Sequence, residues 1–377
     1  MKRFLIVQHG CYGDCLFATT IARQIKNDYQ DSHITWAVST SYKSILQHNP
    51  FIDSLWEITI NGNYFDKKWR QFEKEVVLKK ETGEFDEIIF SQVLPYNWEH
   101  FSGTIRHTIL SSYKKPITVF VAPVLHLTQQ EILNVKHFAE SNNLSEYKEV
   151  ILVECNPGSG QSKMNMDFAV NLAGGYADQK EICFVISTHK PLPKKVDRII
   201  DASLLSFREN AELTKYCTLL IGCSSGITWL ATSNAARQLP MIQLLDKRYE
   251  LFAGVSYDHQ LWGLNNNHIL ERVNYNEATA KEIVDCFLQK GIVAAKEKYH
   301  EVYRPSYKNF AFVIKSLLKK ESASKAYNLI GLWAGLHTHL SEKKLKQIFN
   351  TKYLTVVPKK IIKNTFKKVI SFFTKKN

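Results

Sequence analysis

The sequence predicts an α/β fold built from two doubly wound parallel-sheet domains, and three observations support this class. Short apolar runs alternate with helix-length stretches, which is the pattern of a parallel sheet covered by helices on both faces. The alternation begins again after residue 145, and 377 residues exceed the size at which one hydrophobic core usually keeps growing. The composition agrees, since 45% of the residues are hydrophobic and 23% are charged, as in ordinary globular proteins.

The predicted elements follow the chain in order. In the first half, strands are expected at 5–7, 34–38, 87–90 and 117–121, with helices after the first strand and at 42–48. In the second half, strands are expected at 150–153, 182–186, 219–221 and 241–245, with helices at 165–177, 207–217, 226–234, 276–298 and 306–322. We divide the chain into an N-terminal domain (1–145), a second domain (146–300), a helix packing back across the junction (301–330) and a basic tail (331–377).

Composition excludes several classes of protein. The N-terminal apolar run is too short for a signal peptide, and no run approaches the roughly 20 apolar residues that span a bilayer. The seven cysteines are an odd number and several lie in strand-like runs, which indicates reduced thiols in a cytoplasmic protein. Cys11 and Cys15 have no second close pair, so we expect no zinc site.

The first predicted strand leads into the loop Gly10-Cys11-Tyr12-Gly13-Asp14. This loop lacks the full G-x-G-x-x-G fingerprint and no acidic ribose ligand follows a second strand, which disfavours a nicotinamide cofactor. Asp14 enters the first helix at a strand end, where doubly wound domains bind their ligands. Helix N-capping by Asp14 is the simpler interpretation of this residue alone.

Two further strand ends have loops typical of phosphate binding. The loop 156–163 carries glycines, Ser159 and Lys163, which offer backbone N–H groups and a point charge, although a plain surface loop is equally compatible. In the segment 221–231, Ser225 and Gly226 open a helix after a buried strand, and free N–H groups at such a position attract anions. Tight packing of strand against helix is the alternative there.

Taken together, the loops resemble those of the ADP-heptose:lipopolysaccharide heptosyltransferase family, glycosyltransferase family 9, which has the GT-B fold of two facing Rossmann-like domains. The resemblance covers most of residues 1–250. Residues 1–25 resemble the family's opening strand and Gly-Asp loop, and 48–53 its Asn-Pro-hydrophobic-Asp turn. The span 201–231 resembles the run that ends in its Gly-x-Asp-Ser/Thr-Gly-x-x-His-Leu motif.

The resemblance implies roles for individual residues. Asp14 would be the general base, and the donor sugar or the cleft around it would be lined by Gly13, Ser224 and Trp229. The donor diphosphate would bind the residues Ser159, Lys163, Ser225 and Gly226. Two departures matter: the family's aspartate is Ser224 here and its histidine is Trp229, which removes a sugar contact and a phosphate contact. Gln8 and His9 border the cleft by position and are candidates for acceptor contact.

The implied function is inverting transfer of a sugar from a nucleotide-diphosphate sugar, with heptose as one possible donor sugar. The acceptor would be a bacterial surface glycan or a lipid-linked molecule such as lipopolysaccharide, and no metal or other cofactor is expected. The departures at Ser224 and Trp229 keep open a GT-B-shaped binding or scaffold protein without catalysis. A nucleotide-sugar epimerase with the same double-Rossmann form is a third possibility.

The C-terminal tail carries most of the net charge of +13, because residues 341–377 hold eleven lysines and one acid. Helical spacing in the tail sets apolar side chains against a lysine face; these residues include Ile362, Phe366, Lys367, Ile370 and Phe373. Such a helix is suited to an anionic membrane surface, so we expect peripheral association with the inner face of the cytoplasmic membrane. A helix packed on the protein is the alternative, and the absence of a recognised module argues against nucleic acid.

Overall fold

The computed structural model describes residues 1–60, 67–320 and 323–357 and contains two parallel β-sheets covered by helices. The first sheet has the strand order β3-β2-β1-β4. Its strands are β1 (Lys2–Val7), β2 (Ser32–Ser39), β3 (Ser54–Ile58) and β4 (Glu87–Phe90). The central strand β1 is completely buried from Phe4 to Val7, which explains its continuous apolar sequence.

Among the residues that the structure describes, four α-helices accompany the first sheet. They are α1 (Tyr12–Asp28), α2 (Lys67–Glu81), α3 (Ile105–Leu110) and α4 (Gln129–Ser141). Helix α1 follows β1 directly and buries Ala18, Ile21 and Ile25, which recur at helical spacing. This packing fixes the start of α1 at the carboxyl end of β1.

The second sheet has the strand order β10-β9-β8-β5-β6-β7. Its strands are β5 (Glu149–Glu154), β6 (Ile182–Ser187), β7 (Ile199–Asp201), β8 (Leu219–Gly222), β9 (Met241–Leu245) and β10 (Ile269–Val273). The helices between them are α5 (Met166–Gly174), α6 (Glu209–Leu213), α7 (Gly226–Leu230) and α8 (Val255–Leu261). The pairings between these named strands are parallel, and the order is that of a six-stranded Rossmann sheet. The predicted architecture of two parallel-sheet α/β halves is confirmed.

The chain continues into a helical C-terminal part. Its helices are α9 (Glu277–Tyr299), α10 (Tyr307–Lys320) and α11 (Ala323–Leu336), and residues 342–357 are also helical. Helix α11 contacts the first half, because the Trp333 indole N–H donates to the Phe101 carbonyl at 2.7 Å. The residue limits of the domains stay predictions.

One predicted strand is wrong. Residues 117–121 are apolar and β-branched but form an irregular segment that crosses α1 on the way to the second sheet. The Gln24 side-chain oxygen accepts from the amides of Thr118 and Val119 at 2.7 and 3.0 Å, so these N–H groups are satisfied without a ladder. Nearby prolines, Pro116 and Pro123, disfavour a longer strand.

Several predicted helices are shorter than expected. The stretch 42–48 contains only a 3₁₀ turn at Lys43–Leu46, and the helices expected at 207–217 and 226–234 reduce to α6 and α7. Apolar spacing continues beyond these helix ends because the following turns are also buried, so periodicity alone overestimates the length.

Candidate active site

The strand order of the two sheets determines where a ligand binds. In each half the first strand in sequence is internal, since β1 lies between β2 and β4 and β5 lies between β6 and β8. Doubly wound sheets bind ligands outside the carboxyl ends of the strands, at the point where the strand order reverses. The loops at these points include residues 8–11 after β1, 155–165 after β5 and 223–225 after β8.

Asp14 lies in the first turn of α1, as its third residue. The N-cap position belongs to Cys11, whose side chain makes no capping bond, so N-capping by Asp14 is not the arrangement found. Asp14 is partly exposed. Desolvation raises the pKa of its carboxyl to about 7, and a hydrogen bond from the Cys11 backbone opposes this shift.

Helix α1 meets helix α7 of the second half through aromatic side chains. The Trp229 ring lies edge-on to Phe17 at 4.7 Å between centroids, and a Cβ added at Gly13 would be 4.0 Å from the Trp229 ring. Tyr12, at the start of α1, stacks on Phe207 at 4.5 Å. These contacts bring the Gly13-Asp14 turn next to the helix that follows β8.

Ser224 and Trp229 do not project into an open cleft as donor contacts. Ser224 is 1% exposed, adopts a φ of +50°, and donates its backbone N–H to the Gln243 side chain at 2.7 Å. Trp229 is only 8% exposed because it packs between the two halves. The Ser224 side chain is therefore shielded from a donor sugar in the arrangement described, and a role for Ser224 and Trp229 at the donor-sugar cleft stays a prediction.

Glu154, the last residue of β5, is an acidic group that no sequence pattern singles out. Its buried carboxylate accepts from the amides of Cys223 and Ile227 at 2.9 Å each and from the Thr228 hydroxyl at 2.5 Å. Burial raises its pKa, although these hydrogen bonds oppose the rise. The protein thus places its own carboxyl group at the N-terminus of α7, where a phosphate was expected.

Ser225 and Gly226 remain the partly exposed residues at the mouth of this turn. A Cβ added at Gly226 would lie 2.8 Å from the Phe207 ring, so glycine allows the close approach of that ring. Because Glu154 already accepts from Cys223 and Ile227, the amides of Ser225 and Gly226 form the outer part of this helix end.

The loop after β5 carries Ser159 and Lys163, both exposed. Arg248, which the sequence did not suggest, lies across this loop and donates to the Ser159 carbonyl at 3.4 Å. Gly160 has a φ of +65°, and a Cβ there would be 2.3 Å from the Arg248 guanidinium. Two cationic side chains therefore lie at this loop: Lys163, which belongs to it, and Arg248, which packs against it.

Lys163 also lines a cavity of about 750 Å³ at the carboxyl ends of β9 and β10. Phe168, Asp246, Tyr275 and Glu277 are among the other lining residues. Across the described residues, the lining of this cavity comes from the second half alone. The structure thus brings Gly13 and Asp14 to Trp229, and it groups Ser159 with Lys163 and Arg248, but it does not join both groups in one cavity.

Comparison with known proteins identifies the fold. No family model and no curated protein matches the chain. The chain is similar to the crystal structure of the glycosyl transferase family 9 protein from Veillonella parvula DSM 2008, with a TM-score of 0.51 and 14% identity over 79% of this chain and 94% of that one. It is also similar to E. coli ADP-heptose lps heptosyltransferase II, with a TM-score of 0.50 and 14% identity over 77% and 99%.

The fold is GT-B. The expected resemblance to glycosyltransferase family 9 is confirmed at the level of structure. In this GT-B chain the loops of the two Rossmann-like sheets approach each other through α1 and α7, the helices that begin at the carboxyl ends of β1 and β8.

Gln8 and His9 support the loop from within the GT-B N-terminal half. Gln8 is completely buried, donates to the Gly10 carbonyl at 2.9 Å and accepts from the Ser91 hydroxyl at 2.8 Å. His9 is 2% exposed and its ring contacts the Ile60 carbonyl, while burial lowers its pKa. The expected acceptor contact does not fit this burial, and both residues instead hold the strand end in place.

Three expectations concern the surroundings of the site. Within residues 1–60, 67–320 and 323–357, no three histidine, cysteine or acidic side chains gather as metal ligands do. Over the same ranges no helix has the length and apolar character needed to cross a membrane. The tail residues Ile362, Phe366, Lys367, Ile370 and Phe373 lie outside the described residues.

Proposed function

We propose that this GT-B protein is an inverting glycosyltransferase in which Asp14 acts as the general base. The observation that carries the proposal is the position of Asp14 at a strand end, in the helix turn beside Trp229, with a pKa of about 7. A general base is most effective when its pKa lies near the working pH. A carboxyl group with an ordinary pKa near 4 would be a weaker proton acceptor.

In the proposed reaction the ionised Asp14 removes the proton from an acceptor hydroxyl. The oxygen attacks the anomeric carbon of a nucleotide-diphosphate sugar from the side opposite the leaving group. The new glycosidic bond forms as the bond from the anomeric carbon to the diphosphate oxygen breaks, and the electron pair leaves with the nucleoside diphosphate. The proton remains on Asp14 until solvent removes it.

The departing diphosphate needs positive charge and hydrogen-bond donors. We assign these to Lys163, to the Ser159 loop and to the amides of Ser225 and Gly226, as the family resemblance implies. Arg248 is a further candidate, since it lies against the Ser159 loop. Glu154 limits the contribution of α7 to diphosphate binding, because its carboxyl group already accepts hydrogen bonds from two backbone amides at that helix end.

The proposed donor sugar is not restricted to heptose. Ser224 is buried and Trp229 packs between the halves, so neither side chain reproduces the aspartate and histidine contacts of the heptosyltransferase family. We propose a hexose or heptose linked to a nucleoside diphosphate, transferred without a required metal ion.

The acceptor proposed is a saccharide of the bacterial surface or its lipid-linked precursor, including lipopolysaccharide. The lysine-rich tail supports this choice, because a basic amphipathic helix would hold the protein at the inner face of the cytoplasmic membrane. The lysines of the tail would then bind anionic lipid and not nucleic acid.

A binding or scaffold protein of the same fold is the second candidate. It is favoured by Glu154, which places a carboxyl group where a catalytic member would receive phosphate, and by the buried positions of Ser224 and Trp229. Such a protein would bind a nucleotide or a saccharide without turnover.

One experiment separates these functions. The protein is incubated with a panel of nucleotide sugars, with and without a bacterial glycolipid extract, and the products are analysed by mass spectrometry. The glycosyltransferase proposal expects a nucleoside diphosphate together with a glycosylated acceptor, formed only when the extract is present. Donor epimerised or hydrolysed without an acceptor indicates an epimerase, and binding without product indicates the scaffold.

A further inference from the structure

Arg208 is a buried arginine of the second half whose hydrogen bonds cross to the first half. It is the N-cap residue of α6 and is only 5% exposed. Its guanidinium group donates twice to the Glu131 carboxylate of α4, from Nε at 2.6 Å and from Nη2 at 3.0 Å. A planar guanidinium that meets a carboxylate through two hydrogen bonds is fixed in orientation as well as in position.

The remaining donors of Arg208 reach backbone carbonyls. Nη1 donates to the carbonyls of Ser44 and Gln47 at 3.0 and 3.1 Å, and Nη2 also donates to the His126 carbonyl. Ser44 lies in the 3₁₀ turn after β2 and Gln47 is its C-cap, and the carboxyl end of a helical turn attracts a cation. All three guanidinium nitrogens therefore have partners, and every one of these partners lies within residues 1–145.

The link between α4 and α6 is ionised and is repeated one turn further along α4. Burial of Glu131 would raise its pKa, but the hydrogen bonds from Arg208 and Thr128 outweigh burial and lower the pKa to about 2. Glu131 is therefore a carboxylate at neutral pH. The Asn134 side chain donates to Glu209 at 2.8 Å, beside the Arg208 contact.

Phe207, the residue before Arg208, contacts both turns of the candidate active site. Its ring stacks on Tyr12 with centroids 4.5 Å apart and planes 14° apart. Its edge lies so close to Gly226 that a Cβ added there would be 2.8 Å from the ring. Because Tyr12 precedes the Gly13-Asp14 turn and Gly226 opens α7, one aromatic ring of the second half touches both turns.

The 3₁₀ turn also supports this ring through a second contact. Tyr42, the N-cap of the turn, packs edge-on against Tyr12 with centroids 5.1 Å apart. Tyr42 lies against the loop after β1 as well, where a Cβ added at Gly10 would be 2.3 Å from its ring. The turn thus reaches the segment 207–208 through the aromatic rings and through the Arg208 guanidinium, and two separate contacts restrict rotation that one contact would allow.

We propose that Arg208 and Phe207 are positioning residues that set the separation between the Asp14 turn and the Ser225-Gly226 turn. Arg208 fixes the segment to the first half, and Phe207 holds the two turns apart at the distance of one ring. Neither residue touches a reacting atom. The effect on rate rests on the proposed function, whereas the positioning is measurable without turnover.

The proposed transfer depends on this separation. Asp14 holds the acceptor hydroxyl on one side, and the amides of Ser225 and Gly226 hold the donor diphosphate on the other. The reacting atoms must lie about 3–3.5 Å apart, and a displacement of about 1 Å lowers the rate about 100-fold. A change in the separation should therefore lower kcat, while each half retains its affinity for its own ligand.

Hydrogen exchange of the full chain, measured by mass spectrometry, tests the positioning in Arg208→Lys. Lysine keeps a charge for Glu131 but lacks the planar fork that reaches the carboxylate and the carbonyls together. We expect exchange at residues 11–17 and 223–230 to rise about tenfold or more, because at least one charge-assisted hydrogen bond is lost. The buried strand β5 should exchange like the wild type, which distinguishes local loosening from general destabilisation.

Arg272→Lys is the matched control for exchange. Arg272 pairs with Glu301 at 2.8 Å within the second half, so this variant should leave residues 11–17 and 223–230 unchanged. Phe207→Leu provides a second variant, because leucine stays apolar but loses the stacking on Tyr12; it decides the test if Arg208→Lys fails to fold. Its own control is Phe312→Leu, which alters an exposed ring of α10.

Kinetics supply the readout that a purely structural role would not give. With an active donor and acceptor, Arg208→Lys and Phe207→Leu should each lower kcat about tenfold or more and leave both KM values near those of the wild type. If the wild type transfers no sugar, the proposed function fails and exchange alone decides the positioning. The proposal is overturned if Arg208→Lys and Phe207→Leu exchange like the wild type at both turns, if β5 loses protection equally, or if KM rises with kcat unchanged.

Discussion

The buried carboxyl group of Glu154 makes a quantitative prediction about helix α7. Thr228→Val keeps the shape of a completely buried side chain but removes the hydroxyl that donates to Glu154 Oε2 at 2.5 Å. The loss of one hydrogen bond to a buried acid, with the acceptor left without that donor, costs about 2 kcal/mol. Local opening of the α7 N-terminus should therefore become about 30-fold more frequent, since 1.4 kcal/mol is a factor of ten.

Hydrogen exchange measured by mass spectrometry on peptides spanning residues 219–230 reads this opening directly. The amides of Cys223 and Ile227 donate to Glu154 and should lose protection in Thr228→Val. Thr232→Val is the matched control, because Thr232 is only half-buried and its hydroxyl donates to the Trp229 carbonyl at 2.7 Å, outside the Glu154 network. Equal exchange in the two variants would refute the role given to Glu154.

Three further predictions concern chemistry and location. With a pKa of about 7, Asp14 is ionised in roughly one eleventh of molecules at pH 6 and ten elevenths at pH 8, so kcat/KM for transfer should rise about tenfold between them. A flat pH profile would contradict the assignment of Asp14 as the base. Lys163→Gln and Arg248→Gln should each weaken nucleoside diphosphate binding about tenfold in calorimetry, because each removes a cation. The exposed control Lys190→Gln should bind like the wild type. Unchanged affinity in the first two variants would show that the diphosphate binds at another place. Deletion of residues 355–377 should reduce sedimentation with anionic vesicles, because the tail supplies most of the net charge, and undiminished sedimentation argues against a membrane tail.

The fold was predictable because its strands are buried on both faces. Strands such as β1, β5 and β8 read as continuous apolar runs, and the loops that follow them carry glycine and small polar residues. The run at 117–121 has the same local character but becomes irregular, because Gln24 of α1 satisfies its amides from 94 residues away. Such a contact has no signature in the local sequence.

The candidate site was predictable only in part for the same reason. Asp14 and Lys163 stand in loops whose composition points to ligand binding, whereas Glu154 looks like an ordinary strand end until the structure brings it to α7, 73 residues later. In the sequence, Trp229 stands where the resembling family has a histidine that contacts phosphate. Its packing against Phe17 cannot be predicted from the sequence, because it depends on the approach of two distant helices. Gln8 and His9 border the cleft by position in the sequence, and only the structure reveals their burial.

The central claim is that Asp14 is the catalytic base of a glycosyl transfer, and one variant tests it most directly. Asp14→Asn keeps the size of the side chain and removes its capacity to accept a proton, so transfer with the active donor and acceptor should fall by about 10²- to 10⁴-fold. Melting temperature and nucleoside diphosphate affinity should match the wild type, and Asp31→Asn, an exposed acid, should retain full activity. Near-normal turnover by Asp14→Asn would contradict the assignment of Asp14 as the base.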